Sequence, residues 1–171
     1  RFAWEKAPHR LIEAFAKLEN HEDWRLVMCG DGPLLNENKA LAERLNVSSR
    51  VSILGKVKDV DHYLSLASIY VLPSTLEGFP NALAEAMIAG LPVIVFDGFP
   101  SHEIVNNGKD GIILPNGDID ALAKTLEDLI LDEDKRMSLG TEAAKIRPRL
   151  DPKTVSKKLF AFIEETIATK R

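Results

Sequence analysis

The chain has 171 residues, 45% of them hydrophobic and 28% charged, with a formal net charge of −4. This length fits about one domain with its own core, and the composition excludes collagens, disordered tails and disulfide-stapled miniproteins. The acidic balance argues against nucleic-acid binding, and the single cysteine, Cys29, favours a reducing compartment because it cannot form an internal disulfide.

Short apolar runs rich in Val and Ile alternate along the chain with longer segments of helical spacing. The predicted order is helix 10–18, strand 25–29, helix 34–45, strand 51–54, helix 60–67, strand 69–72, helix 81–89, strand 93–96, strand 111–114, helix 119–131 and helix 153–168. The strands are apolar on both faces, as in a parallel sheet buried between helices. The sequence therefore predicts an α/β doubly wound parallel sheet.

Residues typical of helix ends agree with this order. Gly90 and Pro92 predict the end of one helix before a strand, and Asp118 is placed to cap the helix that follows it. No internal repeat is present in the sequence. The segment 147–152, with two prolines, is the only candidate break and is predicted to separate the last two helices.

Two loops that follow predicted strands carry the functional signal, because ligands of parallel sheets bind beyond the carboxyl ends of the strands. They are the stretches 30–33 and 73–81. Glu77 lies in the second loop, and Glu85 lies about one and a half turns into the next helix if Pro80 takes the first helical position. Two carboxylates near the N-terminus of one helix can accept hydrogen bonds from the hydroxyl groups of a polyol, such as a nucleotide sugar. From spacing alone, glutamates favoured by the helix dipole are an equal alternative.

The same helix mouth offers groups for an anion. Gly78 lets the backbone approach a ligand closely, and the amides of Phe79, Asn81 and Ala82 are candidate donors. Arg1 and Lys6 precede the first helix and can neutralise a diphosphate, although isolated basic residues are more often solvated surface charges.

Several motifs then occur together in a fixed order. They are the segments 1–6, 29–33 and 77–94, followed by 102–105, 107–115 and 117–118. Together they resemble the C-terminal, donor-binding domain of retaining GT-B glycosyltransferases of family 4, whose hallmark is a pair of glutamates with seven residues between them. The resemblance implies a Rossmann-like domain, the C-terminal half of a GT-B fold.

Site roles follow from the resemblance position by position. Arg1 and Lys6 match the basic pair that contacts the donor diphosphate and its developing charge. Glu85 matches the glutamate that holds the ribose hydroxyls, and Glu77 matches the one that contacts the transferred sugar. Donor binding is also expected from the loop residues Gly78, Phe79, Pro80, Asn81 and Ala82. The walls of the nucleotide pocket are expected at Gly30, Gly32, Gly55 and Val57.

The resemblance also implies an activity. The expected reaction transfers a hexosyl group from a UDP- or GDP-linked sugar to a glycan, lipid or other acceptor with retention, without a metal or other cofactor, in bacterial surface polysaccharide or glycolipid synthesis. Residues 1–171 are expected to form the donor-binding domain. The strand before Arg1 and the N-terminal acceptor domain are expected outside this chain, which alone should transfer nothing. The full enzyme is expected in the cytoplasm, with peripheral association at the membrane face.

Departures from the family pattern and two alternatives remain. Ala7 stands where a glycine often follows the family's lysine, and the stretch 97–101 lacks the usual Gly-Pro pair. One alternative is an isomerase similar to nucleotide-sugar 2-epimerases, which lack the loop around Glu77. The other is a non-catalytic Rossmann-like binding module.

Overall fold

The computed structural model describes residues 2–19, 21–98 and 101–168. In this part of the chain the strands are β1 Leu26–Cys29, β2 Val51–Gly55, β3 Tyr70–Leu72, β4 Val93–Phe96 and β5 Ile112–Leu114. The helices are α1 Pro8–Ala16, α2 Leu35–Arg44, α3 Val60–Leu66, α4 Asn81–Ile88, α5 Ser101–Ile104, α6 Ile119–Leu131, α7 Glu133–Ala143, α8 Arg147–Leu150 and α9 Pro152–Ala168. Short 3-10 turns lie at Trp4–Lys6 and Ala144–Ile146.

All strand pairs are parallel, and they form two sheets rather than one. β1 pairs with β2, and β3, β4 and β5 pair in that order. Between β1 and β3 the described residues form no ladder. The predicted sheet is therefore present as two parallel pieces.

Helices cover both faces of the three-stranded sheet, and β4 shows this most clearly because all four of its residues are buried. Val93 and Val95 pack in a cluster with Leu83 and Met87 of α4. The alternate residues of β4 pack on the opposite face against α1 and α6. This alternation confirms the predicted α/β doubly wound fold.

The two-stranded sheet departs from the prediction that every strand is buried on both faces. Met28 packs with residues of α1 and α2 on one face, but Val27 and Leu54 are 46% and 43% exposed. The prediction of burial on both faces is wrong here, and no buried cluster of the described residues joins α3 to β1 or β2.

The boundaries of the predicted elements agree with the structure to within two residues. Asp118 caps α6 as predicted, with its Oδ1 accepting from the amide of Ala121 at 2.8 Å. The predicted break at 147–152 is wrong in part. Residues 147–150 form α8, and Asp151 alone separates it from α9.

The sequence did not reveal α7, which lies between the last two predicted helices. Its first turn is capped by Asp132, whose Oδ1 accepts from the amide of Lys135 at 2.8 Å. Only Leu139, Gly140 and Ala143 of this helix are buried, so it has almost no apolar stripe to recognise. Gly140 lies so close to the end of α4 that an added Cβ would stand 2.1 Å from the carbonyl oxygen of Gly90.

We expect Gly140→Ala to destabilise the fold by about 1 to 3 kcal/mol, because its methyl group would force two backbones apart. This loss should outweigh the gain of about 1 kcal/mol in helix propensity. Thermal or urea unfolding measures the difference. The matched control is Gly78→Ala, whose Cβ would meet nothing within 4 Å and should leave the stability unchanged. A more stable Gly140→Ala variant would contradict the close approach.

Candidate functional site

A cleft of about 960 Å³ separates the two sheets. Residues of β1, β3, α1, α3 and α4 line it, and Lys6, Glu77 and Glu85 are among them. The segment 2–6 crosses one end of the cleft. There the amide of Phe2 donates to the carbonyl of Asp31 beyond β1 at 2.9 Å, and the amide of Thr75 beyond β3 donates to the carbonyl of Glu5 at 2.8 Å. The polar end of the cleft therefore lies at the carboxyl ends of β1 and β3, where the sequence predicts a ligand.

The 3-10 turn at Trp4–Lys6 is held firmly at this end. The hydroxyl of Thr75 also donates to the carbonyl of Glu5, at 3.1 Å. The turn ends at Ala7, which adopts a left-handed conformation with φ 42°. A non-glycine residue in this region is strained, and this is the position where the resemblance led us to expect glycine.

Lys6 and Glu77 form an ion pair between two parts of the chain that are 71 residues apart. The Nζ of Lys6 donates to Oε2 of Glu77 at 2.5 Å, and the hydroxyl of Ser74 donates to Oε1 at 2.7 Å. The Glu77 side chain is only 8% exposed, and Ser74 is fully buried. Both carboxylate oxygens are thus fixed by partners, which orients the group before any ligand binds.

Glu85 reaches the same cleft from α4, where it is exposed. The pKa of Tyr70 is affected by both glutamates. Burial raises the pKa of its phenol well above the ordinary value, and the charges of Glu77 and Glu85 raise this pKa further. Both carboxylates therefore lie within electrostatic range of one buried phenol, and the structure brings Lys6, Glu77 and Glu85 together.

The N-terminus of α4 differs from the prediction. Pro80 is the cap residue and Asn81 the first helical residue, so Pro80 does not take the first helical position. The amide of Asn81 donates to the carbonyl of Phe79 at 3.0 Å, which removes it from the predicted free donors. Among the described residues, the amides of Phe79 and Ala82 have no acceptor.

Gly78 is not required by the protein's own packing. Its φ is not in the left-handed region, and a Cβ added there would meet no atom within 4 Å. The exposed side chain of Phe79 follows it. A small residue with open space beside free amides is what close approach of a ligand needs.

The glycines after β1 serve the protein's own packing at least in part. A Cβ on Gly32 would lie 2.4 Å from the carbonyl oxygen of Phe2, and the amide of Gly30 donates to the carbonyl of Gly55 at 2.7 Å. These three glycines and Val57 do not line the cleft. Their expected role as walls of a nucleotide pocket stays a prediction.

Arg1, the second predicted cation, lies outside the described residues. Sequence reasoning missed three contributors to the site. Ser74 and Thr75, which hold Glu77 and the 3-10 turn, stand in the loop that the sequence singled out, so their proximity to Glu77 was the available signal. Tyr70 had no such signal, because it reads as one more apolar strand residue.

Across the ranges that the structure describes, no three side chains of His, Cys, Asp or Glu gather in a way that could hold a metal ion. The expectation of transfer without a metal stays a prediction. No helix within the same ranges combines the length and apolar character that crossing a membrane requires.

The fold and site define a class: a Rossmann-like α/β domain that is the C-terminal half of a GT-B glycosyltransferase fold. The chain belongs to the family described as glycosyl transferases group 1, whose sequence model matches residues 1–146. It is 32% identical over 171 residues to an exopolysaccharide phosphotransferase of Streptomyces coelicolor, covering 98% of this chain and 18% of that protein.

The chain is also similar to two further proteins. Over 111 residues the chain is 35% identical to the UDP-Gal:alpha-D-GlcNAc-diphosphoundecaprenol alpha-1,3-galactosyltransferase of Escherichia coli, covering 62% of this chain and 29% of that one. The crystal structure of HepE from Anabaena in complex with UDP-glucose superposes with a TM-score of 0.88 at 25% identity, covering 96% of this chain and 47% of that one. The chain thus spans less than half the length of each of these three proteins.

The Tyr70 phenol should make the stability of the fold depend on pH. In the folded chain it keeps its proton at a pH where the unfolded chain, with a pKa near 10.0, has released it. The free energy of unfolding should therefore fall as the pH rises above about 10. Urea unfolding at several pH values, for the chain and for Tyr70→Phe, measures this. An equally steep loss of stability above pH 10 in the phenylalanine variant would show that Tyr70 is not its source.

Proposed function

We propose that this chain binds the nucleoside diphosphate sugar of a glycosyltransferase and that the protein containing it transfers the hexosyl group with retention. The observation that carries the proposal is the partly buried ion pair of Lys6 and Glu77, which shares one cleft with Glu85 and the N-terminus of α4. Membership of the glycosyl transferases group 1 family supports it.

The diphosphate is assigned to Lys6 and to the free amides of Phe79 and Ala82. A helix N-terminus stabilises phosphate oxygens through its amides and its dipole. The ammonium group has three donors, so Lys6 can contact a phosphate oxygen while it remains paired with Glu77. Charge grows on the diphosphate as the glycosidic bond breaks, and fixed donors of this kind typically contribute ~3 to 4 kcal/mol each. Arg1 is proposed as the second cation.

The two glutamates are assigned to hydroxyl groups. Glu85 is proposed to accept from the ribose hydroxyls, because its carboxylate is exposed in the cleft. Glu77 is proposed to accept from the transferred sugar with the lone pairs that Lys6 and Ser74 leave free. Its fixed orientation suits a ligand to hydroxyl groups. Attack from the front face, assisted by the departing phosphate, needs no carboxylate nucleophile on the far face of the sugar.

The residues that bind the acceptor are proposed to lie in the part of the protein outside this chain. We propose a glycan or lipid acceptor in bacterial surface polysaccharide or glycolipid synthesis, and peripheral association of the full enzyme with the cytoplasmic face of the membrane. The names of the similar proteins from Streptomyces coelicolor and Escherichia coli support this class of product.

Calorimetry with UDP, GDP and their hexose conjugates tests the binding step on this chain, and anomeric NMR of the product tests transfer by the longer protein. We expect saturable binding of one nucleotide series and a product that keeps the donor's configuration. Absence of binding to both this chain and the longer protein would contradict the proposal. A donor epimerised without any acceptor would favour the isomerase, and binding without turnover in the longer protein would favour the non-catalytic module.

Replacing Glu85 separates a ligand role from a surface charge. We expect Glu85→Ala to weaken binding of the favoured nucleoside diphosphate by about 1.5 to 3 kcal/mol, or roughly ten- to a hundredfold in Kd. The loss of a charged acceptor for two hydroxyls is the reason. The matched control is Glu43→Ala, an exposed helical glutamate of α2 outside the cleft. Equal calorimetric affinities for the two variants would remove Glu85 from the site.

Replacing Gly78 tests the close approach of the donor. Gly78→Ala should keep the melting temperature, because the added Cβ meets open space, yet weaken binding of the nucleotide sugar about tenfold through overpacking against the ligand. Calorimetry on the folded variant measures this. Unchanged affinity would show that the donor does not lie against this loop.

A further inference from the structure

We propose that the indole of Trp4 is a platform for the acceptor substrate, and that the ligand it takes is a pyranose ring of a glycan or glycolipid. The inference rests on the proposed function, because it concerns the second substrate of the same site. It assigns one acceptor contact to this chain, in addition to the acceptor-binding residues proposed outside it.

Trp4 is a large side chain that the fold holds in water. It is 73% exposed, and its ring makes an edge contact with the imidazole of His9, with the centroids 6.3 Å apart. The turn that carries it is fixed, because the carbonyl of Glu5 accepts two hydrogen bonds from Thr75 and the amide of Ala7 donates to the carbonyl of Trp4 at 3.1 Å. A tryptophan on a fixed backbone offers a large contact area and loses little conformational freedom when it binds.

The indole projects from the turn in a different direction from the Lys6 side chain. Lys6 lines the cleft, whereas Trp4 does not. In a 3-10 turn, side chains two positions apart project about 120° apart, and their backbones are separated by about 4 Å along the axis. Trp4 is therefore close to the proposed diphosphate site without being part of it.

The chemistry of front-face attack places the acceptor next to Lys6. The acceptor oxygen bonds to the anomeric carbon as the bond from that carbon to the diphosphate breaks, and the hydroxyl proton passes to the departing phosphate oxygen. The acceptor hydroxyl therefore lies beside the diphosphate, which is assigned to Lys6. A sugar ring that carries this hydroxyl extends over the side chains next to Lys6, and Trp4 is one of them.

A pyranose ring fits the surroundings of this indole. The face of an aromatic ring is negative and attracts the weakly positive C–H groups that cover one face of a sugar. The hydroxyls at the edge of the sugar need polar partners, and the indole N–H and the imidazole of His9 can supply them. A lipid chain would need a continuous apolar surface, but Trp4 is flanked in sequence by the buried Ala3 and the charged Glu5.

Leu76 is also exposed, and it follows Thr75 in the neighbouring loop. A contact between Trp4 and another part of the longer protein is therefore the alternative that the experiments have to separate from a sugar platform.

Fluorine NMR of the longer protein labelled with 5-fluorotryptophan tests the proposal. The resonance missing from Trp4→Phe identifies Trp4, and Trp24, whose ring lies under Arg136, is the internal control. With UDP or GDP bound, the Trp4 resonance should move saturably with millimolar methyl glycosides of glucose, galactose, mannose or N-acetylglucosamine, while the Trp24 resonance stays in place. Movement with none of these glycosides, in a protein that binds the nucleotide, would overturn the inference and leave the proposed function standing. Failure of the nucleotides to bind would overturn both.

Substitution of Trp4 gives a second readout. Trp4→Ala should raise the Kd of the responding glycoside about tenfold, as truncation of an aromatic anchor does, and Trp4→Phe should raise it less because it keeps a ring. Calorimetry should find the nucleotide Kd unchanged, and hydrolysis of the donor without glycoside should also be unchanged.

The matched control is Leu131→Ala, which removes a 72% exposed side chain at the other end of α6 and should change none of these quantities. An unchanged glycoside Kd in Trp4→Ala would contradict the platform. A lower melting temperature together with slower donor hydrolysis in Trp4→Ala would show that Trp4 packs against another part of the protein, and this too would overturn the inference.

Discussion

The ion pair between Lys6 and Glu77 is the contact on which the site depends. It joins the turn before α1 to the loop after β3, across 71 residues of sequence. The Glu77 carboxylate is largely removed from water, at 8% exposure, and its two oxygens are held by the Lys6 ammonium, itself 30% exposed, and by the Ser74 hydroxyl. Because removal of Lys6 would leave the mostly buried Glu77 carboxylate without its charged partner, the pair favours one relative position of the two segments.

Around this pair, the chain uses its backbone to hold the same two loops. The carbonyl of Glu5 accepts from both the amide and the hydroxyl of Thr75, and the glycine at position 32 lets the loop after β1 close on Phe2. Segment 2–6 is therefore a brace between the two sheets. A change in how the sheets are spaced would move Lys6 relative to α4.

Two features of the site have no role in the packing of the described residues. Gly78 stands in open space with an ordinary backbone conformation, and the amides beside it lack acceptors in the described structure. Neither feature adds to the stability of the fold. Such departures from local consistency are expected at ligand sites, and here they surround the carboxylates that the family resemblance singled out.

The sequence alone predicted the five strands, most of the helices, the parallel α/β class and the position of Glu77 and Glu85 near the N-terminus of one helix. These depend on short periodicities and on spacing along one loop and one helix, which are local properties. Tertiary structure decided the rest. Gly140 makes sense only against Gly90, the amide of Asn81 is used within its own turn, and α7 has too little apolar surface to be seen in isolation. The division of the sheet into two pieces has the same origin, because strand pairing joins residues far apart in the chain and no local pattern encodes it.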